Sequence, residues 1–168
     1  MKPIESLRNS LRSMHEGPAW YGTSMREILA EITATEADIR PDSRQAKTIW
    51  EHVGHILTGK DVTRRRISGE LPSAVSESQN WPVVHDRSEA NGKAILDRLE
   101  ASHAALFKLL EPLTPEDLDR KIDGASAPYS MDFAIRGLAQ HDADHAGQIA
   151  MITKAIRPSS TPRIASDV

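Results

Sequence analysis

Residues 130–156 read SMDFAIRGLAQHDADHAGQIAMITKAI. At about 100° per residue, Ala134, Leu138, His141, His145, Gln148, Ile149, Ile152 and Ile156 fall on one stripe, which predicts a long amphipathic helix. His141 and His145 sit at the centre of that stripe with apolar turns on both sides. A solvent-facing pair would lie opposite the leucines and isoleucines. Histidines four apart stack on one helix face with Cβ atoms about 5–6 Å apart, near enough to grip one ion. Neutral imidazole is a favoured ligand for zinc, nickel and similar metals. The competing reading is two core histidines, each hydrogen-bonded to a neighbouring helix. A third ligand decides between the two.

Working outward, residues 3–16 carry Ile4, Leu7, Leu11 and Met14 at helical spacing, and Gly17-Pro18 stops that segment. Thr23 or Ser24 can cap a shorter helix holding Met25, Ile28, Leu29 and Ile32. Thr35 has the spacing of a cap for a brief turn ending at Pro41. A long helix is expected from about 44 to 68, closed by Gly69 and Pro72, with a loop over 70–86. The next helix, about 87–111, presents Ile95, Leu99, Leu106, Leu109 and Leu110. Thr114-Pro115-Glu116-Asp117 opens a helix of one or two turns, and 121–129 is a second loop. Four long helices joined by polar loops predict an all-α fold, an antiparallel four-helix bundle. Residues 1–156 are expected to form its one domain, and 157–168, rich in Pro and Ser, a flexible tail.

A chain of 168 residues can bury a core without staples. Cysteine is absent, which excludes disulfides, thiolate ligands and a cysteine nucleophile. Net charge is -3 with both signs interspersed. No basic stripe suggests nucleic acid as a partner, and Arg64-Arg65-Arg66 fits a solvated helix end. No run reaches membrane-span length, and the N-terminus lacks the apolar core of a signal peptide, so a soluble, cytoplasmic protein is expected.

The helix over 44–68 offers two candidates for a third ligand, His52 and His55. Taking Ile49, Val53, Ile56 and Ile67 as its apolar centre, His52 lies nearer that centre. His55 shares its side with Thr48 and Gly59, small residues that leave room for a pocket. Periodicity leaves the choice open. His15, His85 and His103 fall outside the stripe and are expected at the surface. Trp20, Trp50 and Trp81 are assigned to ordinary packing and Glu51 to a solvated carboxylate.

The stretch Thr48-Ile49-Trp50-Glu51-His52-Val53-Gly54-His55-Ile56, followed by Arg64–Glu70, resembles the second-helix segment of DinB-like (DinB/YfiT) proteins. Gln140–Ile149 resembles that family's His-x-x-x-His-x-Gly-Gln-Ile signature, and Gly17–Gly22 its early segment. The resemblance implies a four-helix bundle holding a divalent metal, zinc or nickel, through His55, His141 and His145. His55 is chosen because it follows the Ile-Trp-Glu run at the family interval. His52 stands where relatives usually carry an aliphatic residue, and Asp144 where many carry an aromatic one. Both are kept as alternative ligands or as groups that orient a ligand histidine.

Three protein ligands leave a coordination position open, as catalytic sites do. The resemblance further implies a metal-dependent enzyme, foremost a thiol S-transferase acting on small electrophiles with a low-molecular-weight thiol cosubstrate. A metal-dependent hydrolase, or a non-enzymatic metal- or small-molecule-binding bundle with a stress-related role, is the alternative. A small-molecule substrate and a homodimer are expected, with neither nucleic acid nor membrane as partner. No residue is singled out as the catalytic acid or base.

Overall fold

Hydroxyl caps set where the helices start. The computed structural model describes residues 3–41, 46–70, 74–124 and 126–157. Its helices are α1 (Pro3–Glu16), α2 (Met25–Ala30), α3 (Ala34–Asp38), α4 (Ile49–Ile67), α5 (Glu77–Asn80), α6 (Glu89–Leu110) and α7 (Met131–Ile156). Ser24, Thr48, Ser88 and Ser130 each accept a hydrogen bond from the third backbone N–H of the helix they precede. Such a cap is worth about 1 kcal/mol. At α4 the box is reciprocal, because Glu51 reaches back to the Thr48 N–H at 2.7 Å.

Several local details differ from the sequence reading. Thr33, not Thr35, caps α3, because Glu36 sits three residues after Thr33 and closes the box with it. The expected loop over 70–86 contains α5, capped by Ser76 and Gln79, which is too short to show a hydrophobic period. The loop after the 3-10 turn Glu116–Asp119 holds two short antiparallel strands, β1 (Lys121–Ile122) and β2 (Tyr129–Ser130). The second long helix, expected from about 44, begins at Ile49, because Thr48 caps it and residues 46–48 are not helical; residues 42–45, and 158–168 of the expected tail, lie outside the described residues. Arg157, placed at the head of that tail, ties the end of α7 to α3 through Glu36 at 2.8 Å.

The four long helices, α1, α4, α6 and α7, enclose two apolar clusters. One gathers Met14, Met25, Leu29, Ile49, Val53, Ile56, Leu99 and Ile149. The other gathers Leu7, Leu11, Ile67, Leu106, Leu110, Met131 and Leu138. On each long helix the changeover coincides with a buried polar side chain. His15 stands beside Met14 on α1, Lys60 between Ile56 and Ile67 on α4, His103 between Leu99 and Leu106 on α6, and Asp142 between Leu138 and Ala146 on α7. Lys60 and Asp142 form an ion pair with both side chains fully buried.

The same two clusters give the helix directions. α4 and α6 run from the first cluster to the second, and α1 and α7 run back. The bundle therefore opposes two helices to two, and the parallel neighbours α4 and α6 require one connection that crosses its whole length. The connection between α4 and α6, which includes α5, is that crossover. No helix among the described residues is long and apolar enough to cross a membrane.

His15 and His103 are buried, contrary to the surface positions expected, while His85 is exposed. The two buried rings stack with centroids 3.9 Å apart and planes 17° from parallel. His15 Nε2 meets Glu100 Oε1 at 3.1 Å, and His103 Nε2 lies 3.4 Å from Glu16 Oε1. Burial, then the Lys60 charge, lowers the His15 pKa to about 4, with Glu100 pulling the other way. Burial, followed by the charges of His15 and Lys60, lowers His103 to about 2.

Both rings thus stay neutral in the fold while the unfolded chain takes up their protons below about pH 6.5. Stability should fall as pH drops from about 6.5 towards 4, by up to about 1.4 kcal/mol per pH unit for each histidine. Urea unfolding of the chelator-treated protein across that range, compared with His103→Leu, checks this. The variant should show a shallower pH slope, and an unchanged slope would count against the assignment.

Candidate metal centre

α4 and α7 lie side by side and bring four histidines together. α4 supplies His52 and His55, and α7 supplies His141 and His145. Close approach depends on Gly59, where a Cβ would stand 3.0 Å from His141 Cε1. The ring of His141 occupies the space that a side chain at residue 59 would take.

Hydrogen-bond partners fix which ring nitrogens are free. His55 Nδ1 lies 2.8 Å from the Asn80 carbonyl oxygen, which can only accept, so Nδ1 carries the hydrogen. His141 Nδ1 lies 3.2 Å from Asp142 Oδ1. Burial opposes ionisation of Asp142, but the Lys60 charge and the hydrogen bonds from His141 and Lys60 outweigh it and lower its pKa. The ionised carboxylate accepts from His141 Nδ1–H. Both rings therefore turn a lone pair outward at Nε2, and these two nitrogens face each other at 2.9 Å. Two lone pairs at that distance repel unless a proton or a metal cation is held between or beside them. His145 Nδ1 is engaged by His52 Nδ1 at 3.1 Å, which leaves Nε2 as the nitrogen available to an ion.

One ligand atom from each of His55, His141 and His145 lies within 4.8 Å of the others. Burial, then the neighbouring imidazoles, lowers His145 to about 4. Burial also lowers His55, against the opposing pull of its bond to Asn80. These two imidazoles are thus in the neutral form that binds metals. The donor set suits a divalent ion, and His55 and His141 are only half-buried, so a small molecule could reach it.

The crossover segment walls this cluster. The Trp81 indole stacks on His55 at 4.0 Å and 3°, and stands edge-on to His145. Lys47 Nζ lies 5.1 Å from the Trp81 ring. Pro82 seats the segment on α4 at Gly54, where a Cβ would come within 2.7 Å of its ring. Tyr21, in the tight turn from Ala19 to Gly22, has its pKa raised by burial and by the Asp142 charge, which keeps its phenol protonated. A cavity of about 840 Å³ opens between α4, α6 and the same crossover, lined by Leu57, Asp61, Arg65, Val84 and Arg98 but by none of the four histidines.

The DinB superfamily matches residues 22–149. The chain belongs to the DinB superfamily. A solved structure described as a conserved protein from Enterococcus faecalis matches with a TM-score of 0.67 at 19% identity, over 93% of this chain and 98% of that one. At that identity the likeness speaks for the fold alone. No match was found among curated proteins. For a DinB-like bundle, the three-histidine cluster fits a metal-binding site.

Within this DinB-like chain, periodicity and resemblance each describe one of the two α4 histidines. His52 is buried at 4% exposure, as its closeness to the apolar centre implies. His55, half-buried, is the one clustered with His141 and His145. Asp144 is exposed, accepts from Gln148 Nε2 at 2.7 Å and lies outside the cluster. Glu51 is buried in the α4 cap and paired with Arg40 at 2.8 Å, not solvated. Of the tryptophans only Trp50 packs in the core; Trp20 is fully exposed and Trp81 covers the histidines.

The buried stripe of α7 runs through Met131, Ile135, Leu138, Asp142, His145 and Ile149, so Asp142, not His141, holds its centre. Sequence reasoning missed Asp142, Lys60 and Asn80. The spacing of four and three residues along that stripe, and along Ile49, Val53, Ile56 and Lys60, was the available signal for the first two. Asn80 acts through its backbone carbonyl, and nothing in its side chain announces it.

The tight fit at Gly59 is directly testable. Gly59→Ala should keep or raise the stability of the metal-free protein, since alanine in a helix is favoured by about 1 kcal/mol. It should weaken zinc retention by displacing His141. Thermal melts with chelator and zinc competition measurements separate the two effects, and undiminished zinc retention would show that His141 has room to move.

Proposed function

We propose that this DinB-like chain is a metal-dependent thiol S-transferase acting on small electrophiles, with His55, His141 and His145 as the protein ligands of a zinc or nickel ion. The observation that carries the metal assignment is the pair of Nε2 lone pairs of His55 and His141, 2.9 Å apart, each held in place by an acceptor at the opposite nitrogen. Three imidazoles leave at least one position open, which suits substrate access. When bound, such an ion supplies the Lewis acidity that lets a small thiol ionise near neutral pH.

The chain's own residues do the rest. No cysteine is present, so the reacting sulfur arrives with a cosubstrate. Trp81 shields one face of the cluster and offers an aromatic wall to a small molecule. In the transfer, a bond forms between sulfur and the electrophilic carbon. The carbon–leaving-group bond breaks, and the leaving group departs with the thiol's proton.

Elemental analysis of the native chain and of alanine variants at His52, His55, His141 and His145 comes first. Near one equivalent of metal is expected, lost at His55, His141 and His145 and kept at His52. Loss only at His52 among the α4 variants would move the ligand assignment by one turn. The metal-loaded chain should then turn over at least one thiol–electrophile pair, with activity removed by chelation. Stoichiometric metal without any thiol turnover would overturn the transferase reading in favour of a binding bundle, and cleavage of an ester or amide panel would favour a hydrolase.

A further inference from the structure

Beyond the three histidines lies a charged pair that the reaction does not call on. Lys60 and Asp142 are both wholly buried, between the two apolar clusters of the bundle. Removing two charges from water costs several kcal/mol per ion, and apolar residues of the same size would often serve stability as well or better. The pair therefore needs a reason other than stability. Its geometry supplies one: Asp142 Oδ2 receives the Lys60 ammonium, and Oδ1 faces His141 Nδ1 at 3.2 Å.

We infer that Asp142, clamped by Lys60, is the positioning residue of the metal centre: its carboxylate holds the hydrogen of His141 on Nδ1 and so aims Nε2 at the ion. The inference rests on the metal reading above. Each partner has a distinct part in it. Asp142 selects the tautomer and the ring angle, since a carboxylate in its ionised form can only accept. Lys60 takes up Oδ2, so Oδ1 is the oxygen left facing His141 Nδ1. Lys60 also holds the carboxylate in one orientation, because its own side chain is enclosed on α4, the helix that carries His55. One rigid unit thus ties the α7 ligand His141 to the α4 ligand His55.

A purely structural ion pair makes a different prediction, so the two are separable. In the full-length chain, Lys60→Met with Asp142→Leu removes both charges and the acceptor without leaving either charge unpaired. Lys60→Met with Asp142→Asn removes the charges but keeps an amide oxygen able to accept from Nδ1–H. Zinc affinity is read by competition with a chromogenic chelator, and folding by thermal melts of the zinc-free protein. The leucine variant should lose about 10- to 100-fold in zinc affinity while remaining folded. The asparagine variant should recover much of that loss. Equal zinc affinity in both variants and the native chain would overturn the positioning role.

If neither variant folds, the native protein decides. Long-range proton–nitrogen NMR of the imidazoles should show His141 in the Nδ1–H form, and the Nε2–H form would overturn the proposal. Failure of the native chain to take up zinc or nickel, with His141 still in the Nδ1–H form, would fell the metal reading and not the tautomer assignment.

Discussion

The buried contact between Lys60 and Asp142 is the constraint around which the rest of the bundle is arranged. It joins α4 to α7 at mid-height, where each helix would otherwise present an apolar residue. A lone charge left there after loss of its partner would cost about 3–5 kcal/mol, so the two helices have little freedom to slide past one another. The same ammonium acts on the stacked His15 and His103 rings, which belong to α1 and α6. All four long helices therefore contribute a polar side chain to one level. Above and below it the core is apolar, and the level sets their relative height.

The candidate metal centre sits at the edge of this level and not within it. His145 and His52 lie on the buried side, while His55 and His141 stand at the margin where a small molecule can arrive. Three features keep the margin narrow. Gly59 admits the His141 ring, Gly54 admits Pro82, and the crossover lays Asn80 and Trp81 over His55. The crossover exists because α4 and α6 run in the same direction. Topology and site are in this sense one problem, since the segment that solves the first also supplies a carbonyl and an indole to the second.

Much of this was legible from the residues. The four long helices follow from hydrophobic period and from their glycine and proline stops, whereas the caps at Thr48 and Ser88 that fix where two of them start come into view only in the structure. The histidines His141 and His145 stand out through their spacing, and family resemblance places His55 beside them where period alone could not. The remainder was hidden for physical reasons. A charged residue at a core position looks like a break in the apolar stripe, which hides Lys60 and Asp142 and makes His15 and His103 read as surface residues. Each makes sense only when its partner on another helix is in view. The capping boxes at Thr33 and Ser76 are local, but one competes with Thr35 two residues away and the other encloses a helix with no period to read. Asn80 contributes a backbone carbonyl, which every residue has.

The crossover has a further consequence for biosynthesis. His55 and Lys60 leave the ribosome long before α7, and some eighty further residues must be made before Asp142, His141 and His145 can meet them. Until then α4 carries an unpaired lysine on what will become its inner face and cannot settle against its final neighbour. A candidate centre that draws His55 from α4 and His141 and His145 from α7 is incomplete until α7 has been made, and a chain stalled before that point has only the α4 half to offer an ion.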